Sequence, residues 1–252
     1  MEIQKATGIV LYSRRSGEAD VSARVFTREY GKRLFLFKGL KKSRSRPLSA
    51  AEPGTVLDLV YYYHENRELQ VVNELRVTSR RESVHADLKK IFHLYYMLEL
   101  IDRTTGTGDP ALPLYNLLAA ALDTLSTTAR TVSLSAFFTL HLMRLHGILP
   151  DFARCGNCGR TDYTRFVLDF TRFLPMCDSC ARGRGAGRRL LSAPLKEYLM
   201  RAPSTRFGEM PEDAPPEDEI ADLLFFLALF IENYFHTELK SKAMLFSGRE
   251  RA

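Results

Sequence analysis

The sequence predicts an α+β protein with more than one domain: a small β-barrel at the amino-terminal end, then an all-α domain that carries a cysteine-rich insertion. Three observations support this prediction. Short alternating runs rich in Val, Leu, Phe and Tyr occupy about residues 7–78, and a helical apolar spacing begins near residue 83. Two C-x-x-C pairs then interrupt the helical part. We place the domains at residues 1–80 and 81–252, with the cysteine module at about 150–185.

Five strands are predicted in the first domain, with Gly17, Gly31 and Asn66 at or near the turns. They lie at about residues 7–14, 20–27, 32–38, 55–64 and 68–78. Five strands in so short a segment fit a small closed or nearly closed barrel. The long basic connection between the third and fourth strands, residues 39–54, is expected to be functional or mobile.

The second domain is predicted to consist of amphipathic and largely apolar helices. Their expected ranges are about 84–102, 112–127, 132–146 and 217–239, with a short helix near 192–202. The first helix has a stripe of apolar residues that we expect to be buried: Leu88, Ile91, Phe92, Tyr95, Leu98 and Ile101. A segment rich in Pro and acidic residues, 203–219, links the last two helices.

The four cysteines have the spacing of a zinc site. Cys155 and Cys158 are separated from Cys177 and Cys180 by eighteen residues, and the intervening sequence alternates like a β-hairpin. Four thiolates complete a tetrahedron and leave no position for a catalytic water, so we predict one structural zinc per chain in a zinc-ribbon-like module. The alternatives are four cysteines without a metal, or a redox pair that lacks its usual βαβ context.

The net charge of +6 is concentrated at one end of the chain. Residues 1–50 have a net charge of +8, whereas residues 51–252 have a net charge of −2. Such a concentration favours a polyanionic partner, either nucleic acid or an anionic membrane surface; the alternative is a solvated surface. The longest apolar run, 223–231, is too short to span a bilayer, and the first residues do not resemble a secretory signal. We therefore expect a cytoplasmic protein without a membrane segment.

Nucleic-acid binding combines cations that track the backbone with aromatic rings on which bases stack. The candidate cations are Arg14, Arg15, Arg28, Lys32, Arg33, Lys38, Lys41, Lys42, Arg44 and Arg46. Phe35 and Phe37 are the candidate rings, on the opposite strand face from Leu34 and Leu36. One of these faces is core, and the sequence does not decide which, although for either phenylalanine alone the core position is favoured.

No catalytic motif is present. The sequence lacks a G-x-S-x-G elbow, a phosphate-binding P-loop and an H-E-x-x-H pair. His141 and His146 lie five residues apart on a predicted helix and hence on different faces. We do not expect an enzyme.

Several motifs, in order, resemble the RecO family of bacterial DNA repair and recombination proteins. They are the TGIVLYS strand, the GEAD turn, the FTREYG turn, the KGLKKSRSR loop, the entry to the cysteines at Gly147, Pro150 and Phe152, and the closing YFHTELKSKAMLF. The resemblance covers nearly the whole chain. It implies an amino-terminal OB-fold and a helical domain with a zinc-binding insertion, although some members lack the cysteines.

The resemblance also implies a function. Members bind single- and double-stranded DNA, anneal complementary strands and, with RecR, help to load RecA onto strands coated by single-stranded-DNA-binding protein. The family is linked to the acidic, apolar tail of that coating protein, which requires an apolar groove with a basic rim. The candidate rim residues are His141, Arg144 and Lys240.

Two functional hypotheses follow from the sequence. The first is a non-catalytic DNA-binding mediator, and the second is a zinc-ribbon adaptor that acts mainly through protein contacts. A nuclease ranks third, because the sequence has no clustered acids that would hold magnesium.

Overall fold

The computed structural model describes residues 2–162, 166–169, 172–182, 188–210 and 215–246. The chain packs as two compact units, residues 1–127 and 128–252. The first three helices thus belong to the same unit as the barrel, and the domain boundary at residue 80 stays a prediction. Within the described residues, no helix has both the length and the apolar content that a membrane crossing requires.

Five strands close into a barrel in the first unit, as predicted. They are β1 (Glu2–Ser16), β2 (Asp20–Thr27), β3 (Gly31–Phe37), β4 (Val56–Tyr63) and β5 (Leu69–Ser79). Their order is β1-β2-β3-β5-β4, and pairing between β1 and β4 closes the barrel. Only the β3–β5 pair is parallel among these ladders. This is an OB-like arrangement, and β1 begins five residues earlier than the sequence suggested.

Strand alternation fills the barrel with apolar side chains. Phe35 and Phe37 from β3 and Tyr61 from β4 have no exposed surface, and the rings of Phe35 and Tyr61 meet edge to face at 4.9 Å. Leu40 and Ala50, from the β3–β4 loop, are also part of this core. The long basic loop is therefore anchored to the barrel on both sides of its charged segment.

Three helices complete the first unit: α1 (Glu82–His85), α2 (Leu88–Thr104) and α3 (Leu112–Thr127). The single helix predicted at 84–102 is interrupted because Asp87 caps the amino end of α2, where its carboxylate accepts hydrogen bonds from the backbone of Lys89 and Lys90.

The predicted buried stripe of α2 was only partly right. Leu88 and Tyr95 are 65% and 39% exposed, whereas Leu98 and Ile101 are buried as expected. A neighbouring row with equivalent spacing, which includes Leu94, is buried as well. Because α2 is apolar on more than one side, its periodicity did not identify the face that packs.

Helices form most of the second unit: α4 (Thr131–Leu145), α5 (Asp178–Ala181), α6 (Ala193–Arg201), α7 (Glu217–Phe235) and α8 (Lys242–Leu245). Helices α4 and α7 pack together and are lined by buried apolar residues. Helix α7 ends at Phe235, four residues earlier than predicted, and the next residue, His236, has a left-handed φ of 49°. Short 3-10 turns occupy 202–204 and 207–209 of the predicted linker, while residues 211–214 lie outside the described residues.

A small three-stranded antiparallel sheet lies beside the cysteines, and Cys177 is the last residue of one of its strands. Its strands are β6 (Phe166–Asp169), β7 (Leu174–Cys177) and β8 (Arg188–Leu191), in the order β7-β6-β8. The hairpin predicted between the cysteine pairs is the β6–β7 pair. Phe173, in its turn, contacts the rings of Phe226 and Phe230 on α7 at 5.9 and 5.7 Å, so the module is packed onto the helices of its unit.

Candidate nucleic-acid interface and metal centre

Two chain segments bring cations together at one end of the barrel. The β1–β2 hairpin tip and the start of the β3–β4 loop are joined by hydrogen bonds from Gly39 N to Asp20 Oδ1, 2.7 Å, and from Lys41 N to the Ala19 carbonyl, 3.0 Å. We call the resulting cluster the basic end. Its members are Arg14, Arg15, Lys38, Lys41, Lys42, Arg44 and Arg46.

The structure fixes some of these cations and leaves others extended into solvent. Lys41 donates from Nζ to the Gly17 carbonyl at 3.0 Å, and Arg46 donates from Nη2 to the Lys38 carbonyl at 2.7 Å. The Lys42 ammonium lies 3.7 Å from the Glu18 carboxylate, but both side chains are largely exposed, so water screens this pair. The basic end thus combines a held loop with charges accessible to a polyanion.

Three predicted cations lie elsewhere. Arg28 is exposed in the β2–β3 turn, whereas Lys38 follows the far end of β3, which spans seven residues. At about 3.3 Å per residue these positions are separated by roughly 20 Å. Arg28 is therefore outside the basic end, and Lys32 and Arg33 are held by contacts of their own.

Lys32 is buried, with only 7% of its surface exposed, so the prediction that it contacts nucleic acid is corrected. Its ammonium lies 3.3 Å from Asp102 Oδ1 and also donates to the Asp102 backbone carbonyl, while Arg24 binds the other carboxylate oxygen at 2.6 Å. Burial lowers the pKa of Lys32, and Asp102 partly offsets this effect. Lys32 thus joins the outside of the barrel to α2, and it does not present its charge to DNA.

Arg33 closes the opposite end of the barrel. Its guanidinium lies between the rings of Tyr30 and Tyr63, 4.7 Å from each centroid, and donates to Gln4 Oε1 and to the Tyr61 hydroxyl at 3.2 and 3.1 Å. Burial raises the pKa of Tyr61 to about 12 although Arg33 opposes the shift. Arg33 therefore has a structural role at this end of the barrel and does not belong to the basic end.

The prediction that Phe35 and Phe37 stack on bases is also corrected. Both side chains are fully buried in the barrel core, so neither ring has a face on which a base can stack. The inward face of β3 is the one that contains the phenylalanines, and Leu34 and Leu36 lie on the outward face with partial exposure.

Sequence reasoning missed Asp20, an acid that organises the basic end. Its carboxylate accepts the Gly39 backbone hydrogen bond at the point where β3 turns into the basic loop. The signal in the sequence is an acid between two basic segments. A carboxylate in this position opposes anion binding, so its presence indicates a structural role.

We expect Asp20→Ala to weaken binding of single-stranded DNA by about 10-fold, since the loss of a charged acceptor costs about 1.5 kcal/mol and loosens the start of the loop. If only the loss of the negative charge mattered, the substitution would strengthen DNA binding. The measurement is fluorescence anisotropy with a labelled oligonucleotide.

Asp20→Asn is the matched control because it removes the same charge and keeps the accepting oxygen. It should bind DNA at least as tightly as the unmodified protein. Equal affinities for the Ala and Asn variants would contradict a positioning role for Asp20.

The four cysteine sulfurs form a compact cluster. All four Sγ atoms lie within 4.8 Å of one another, and Cys158 and Cys177 are 3.8 Å apart, far beyond a disulfide bond. Zinc–sulfur bonds of about 2.3 Å give a tetrahedral edge of about 3.8 Å. The sulfur positions therefore fit a tetrahedral metal ion.

The backbone around the cysteines forms two linked knuckles. Gly159 has a φ of 72° and donates to the Cys155 carbonyl at 2.8 Å, which tightens the first knuckle. Gly156 donates to the Pro175 carbonyl at 2.7 Å, and a Cβ at this position would lie 2.9 Å from the Leu174 Cβ. These contacts join the first knuckle to β7, which leads into the second pair.

The electrostatics of the cluster favour a bound cation. Burial raises the pKa of Cys155, but backbone hydrogen bonds from Cys177, Cys158 and Asn157 outweigh it and bring the pKa to about 6. Burial raises the pKa of Cys177 to about 11. Four adjacent thiols do not all ionise near neutral pH unaided, so a divalent ion would supply the charge that holds four thiolates together.

The three residues predicted to form the rim of the partner groove do not line one common groove. His141 is 5% exposed, and its ring nitrogens lie 2.9 and 2.8 Å from the carbonyl oxygens of Phe137 and Thr205, so this prediction is corrected. Arg144 does line an open groove of about 320 Å³. Its apolar walls include Leu149, Phe152, Leu199, Met200 and Pro203. Lys240 is exposed and is not one of the residues that line this groove.

Comparisons with known proteins agree with this architecture. Residues 1–81 match the family model "Recombination protein O N terminal", and residues 85–243 match "Recombination protein O C terminal". The chain belongs to the RecO family. Family membership confirms the resemblance seen in the sequence motifs and indicates a role in DNA repair and recombination.

Several curated RecO proteins are similar along the whole chain. The DNA repair protein RecO of Exiguobacterium sp. is 29% identical over 245 residues, which cover 96% of this chain and 95% of that protein. That of Koribacter versatilis is 29% identical over 248 residues, with 96% and 98% covered. That of Streptococcus pyogenes serotype M49 is 26% identical over 246 residues, with 97% and 96% covered. The similarity to RecO proteins therefore includes both compact units.

Proposed function

We propose that this protein is a non-catalytic recombination mediator of the RecF-pathway type. It binds single- and double-stranded DNA, anneals complementary strands and, with RecR, helps to load RecA onto strands coated by single-stranded-DNA-binding protein. The basic end is the observation that supports this proposal most strongly, together with the DNA repair role of the family. Its place of action is the bacterial cytoplasm, on the nucleoid when bound to DNA.

The basic end suits a backbone-directed activity. Its cations neutralise phosphates, and this attraction does not depend on base sequence. Annealing requires that two strands of any sequence approach each other despite their mutual repulsion. A surface that lowers this repulsion without reading bases accelerates pairing. Its affinity for the resulting duplex then depends on the salt concentration.

One zinc ion per chain completes the second unit. Cys155, Cys158, Cys177 and Cys180 would hold it, and soft thiolate ligands in a tetrahedral arrangement favour zinc over hard cations. With all four positions filled by protein, the ion supplies structural stability. DNA binding and metal binding are then separate tasks of the two compact units.

The groove beside Arg144 is our proposed site for the tail of the single-stranded-DNA-binding protein. It offers apolar walls and one exposed guanidinium, which suit a peptide with acidic and apolar residues. Asp151 also lines the groove, but its carboxylate lies 3.3 Å from Arg154. Arg144 is the only one of the three predicted rim residues that keeps its role here.

The test of the proposed function is strand annealing by the purified protein. Two complementary oligonucleotides carrying a donor and an acceptor dye should pair faster in its presence, at equal rates with and without ATP. Acceleration that required ATP, or failure to accelerate pairing at low salt, would contradict a non-catalytic mediator.

A further inference from the structure

An exposed tyrosine stands next to the basic end on the outer wall of the barrel. Tyr12 is 54% exposed, although it lies within β1. The β1–β2 register shifts between Val10 and Tyr12, so that Leu11 is buried and Tyr12 points outward. This bulge turns an aromatic ring to solvent on a strand whose inward residues fill the core.

The neighbours of Tyr12 on the outer wall are cationic. Tyr12 pairs with Arg24 across β1 and β2, and Arg14 lies two residues further along the same face. Two residues of a strand span about 7 Å. Arg14 donates from Nε to Ser22 Oγ at 3.3 Å, and Arg24 is held by Asp102, so both cations beside the ring have defined positions.

We propose that Tyr12 is the stacking platform for a base of single-stranded DNA, while Arg14 holds the adjoining phosphate. The proposal rests on the proposed DNA-binding function and deepens it. It supplies the aromatic component that Phe35 and Phe37, both in the core, do not provide. A strand that leaves the basic end along β1 meets Arg14 first and then the ring.

Other exposed aromatic side chains among the described residues have different surroundings. Tyr234 stacks on Phe230 at 6.1 Å and also contacts Phe235, so its ring belongs to a cluster on α7. Tyr95 lies on α2, outside the basic end. Tyr12 is the exposed ring that shares a strand with cations of the basic end.

This arrangement predicts discrimination between single and double strands. A base can stack on an aromatic ring only when it is not already stacked within a duplex, whereas phosphate contacts serve both forms. Removal of the ring should therefore weaken single-strand binding by at least about 5-fold. Duplex binding should change by less than about 2-fold.

The test uses the absence of tryptophan from the chain. Tyr12→Trp introduces the sole indole, and its fluorescence should be strongly quenched when an oligothymidine binds. Tyr95→Trp is the matched control on another exposed tyrosine, and its emission should not change. Tyr12→Ala and Tyr12→Phe then separate the ring from the hydroxyl, with Phe expected to retain single-strand affinity.

Two outcomes would overturn the proposal: unquenched indole emission from the Tyr12→Trp variant under saturating oligothymidine, or equal loss of single- and double-strand affinity in Tyr12→Ala. Either result leaves the proposed function standing if the unmodified protein still binds DNA in a salt-dependent manner. If the unmodified protein binds neither form, the proposed function itself fails.

Discussion

Replacing Cys177 with serine should abolish zinc binding and unfold the cysteine module, with a large loss of stability in the second unit. Cys177 is 1% exposed, and its sulfur lies within 4.8 Å of the other three. A serine hydroxyl does not replace a thiolate ligand. Structural zinc stabilises zinc-finger peptides by about 10–16 kcal/mol, and we expect a loss of several kcal/mol here because the helices retain their own core.

Native mass spectrometry should find one zinc per unmodified chain and none in Cys177→Ser. Thermal unfolding should show the loss of stability, and limited proteolysis should cut first within about 155–182. Ser179→Ala is the control, since it alters an exposed residue of the module and keeps all four thiols. An unmodified protein that is metal-free, equally stable and has four titratable thiols would contradict the zinc assignment.

Reversing three charges of the basic end should nearly eliminate DNA binding at physiological salt. In Lys41→Glu, Lys42→Glu, Arg44→Glu, three cations that we propose to contact phosphates become anions. Each phosphate contact to a single strand contributes about 0.7 to the slope of log K against log salt, so the slope should fall by about 2. At low salt we expect an affinity loss of about 100-fold or more.

The matched control reverses three exposed cations outside the basic end: Lys5, Arg28 and Arg67. Both variants change the net charge equally, and both act on the first unit. The control should lose less than about 5-fold, through the long-range field alone. Equal losses of DNA affinity in the two variants would mean that net charge, and not the basic end, determines binding. Unchanged affinity in both variants would favour the adaptor hypothesis.

The barrel could be predicted from the sequence because its strands alternate clearly between turns. The same alternation did not identify the core face of β3, since Phe35 and Leu34 lie on opposite faces and both are apolar, although the core position was favoured for the phenylalanine. Closure of the barrel decides this question, and closure depends on pairing between strands that are far apart in sequence. The break before α2 was visible in principle, since Asp87 is a good amino-terminal cap.

The candidate sites differed in how much the sequence determined. The clustering of the four cysteines could be predicted, because two C-x-x-C pairs at this separation are typical of a four-ligand site. The cations could be predicted only as a group. The burial of Lys32 depends on Asp102, 70 residues later, and the approach of the two basic segments depends on hydrogen bonds that Gly39 and Lys41 donate to Asp20 and Ala19. Such contacts form only after the barrel and its helices have packed.

Hydrogen–deuterium exchange with and without single-stranded DNA distinguishes binding at the basic end from binding at the cysteine module. We predict slower exchange in residues 13–22 and 38–46 when an oligonucleotide binds, and unchanged exchange in 155–162 and 172–182. Protection confined to the cysteine module, with the basic end unaffected, would contradict DNA binding at the basic end.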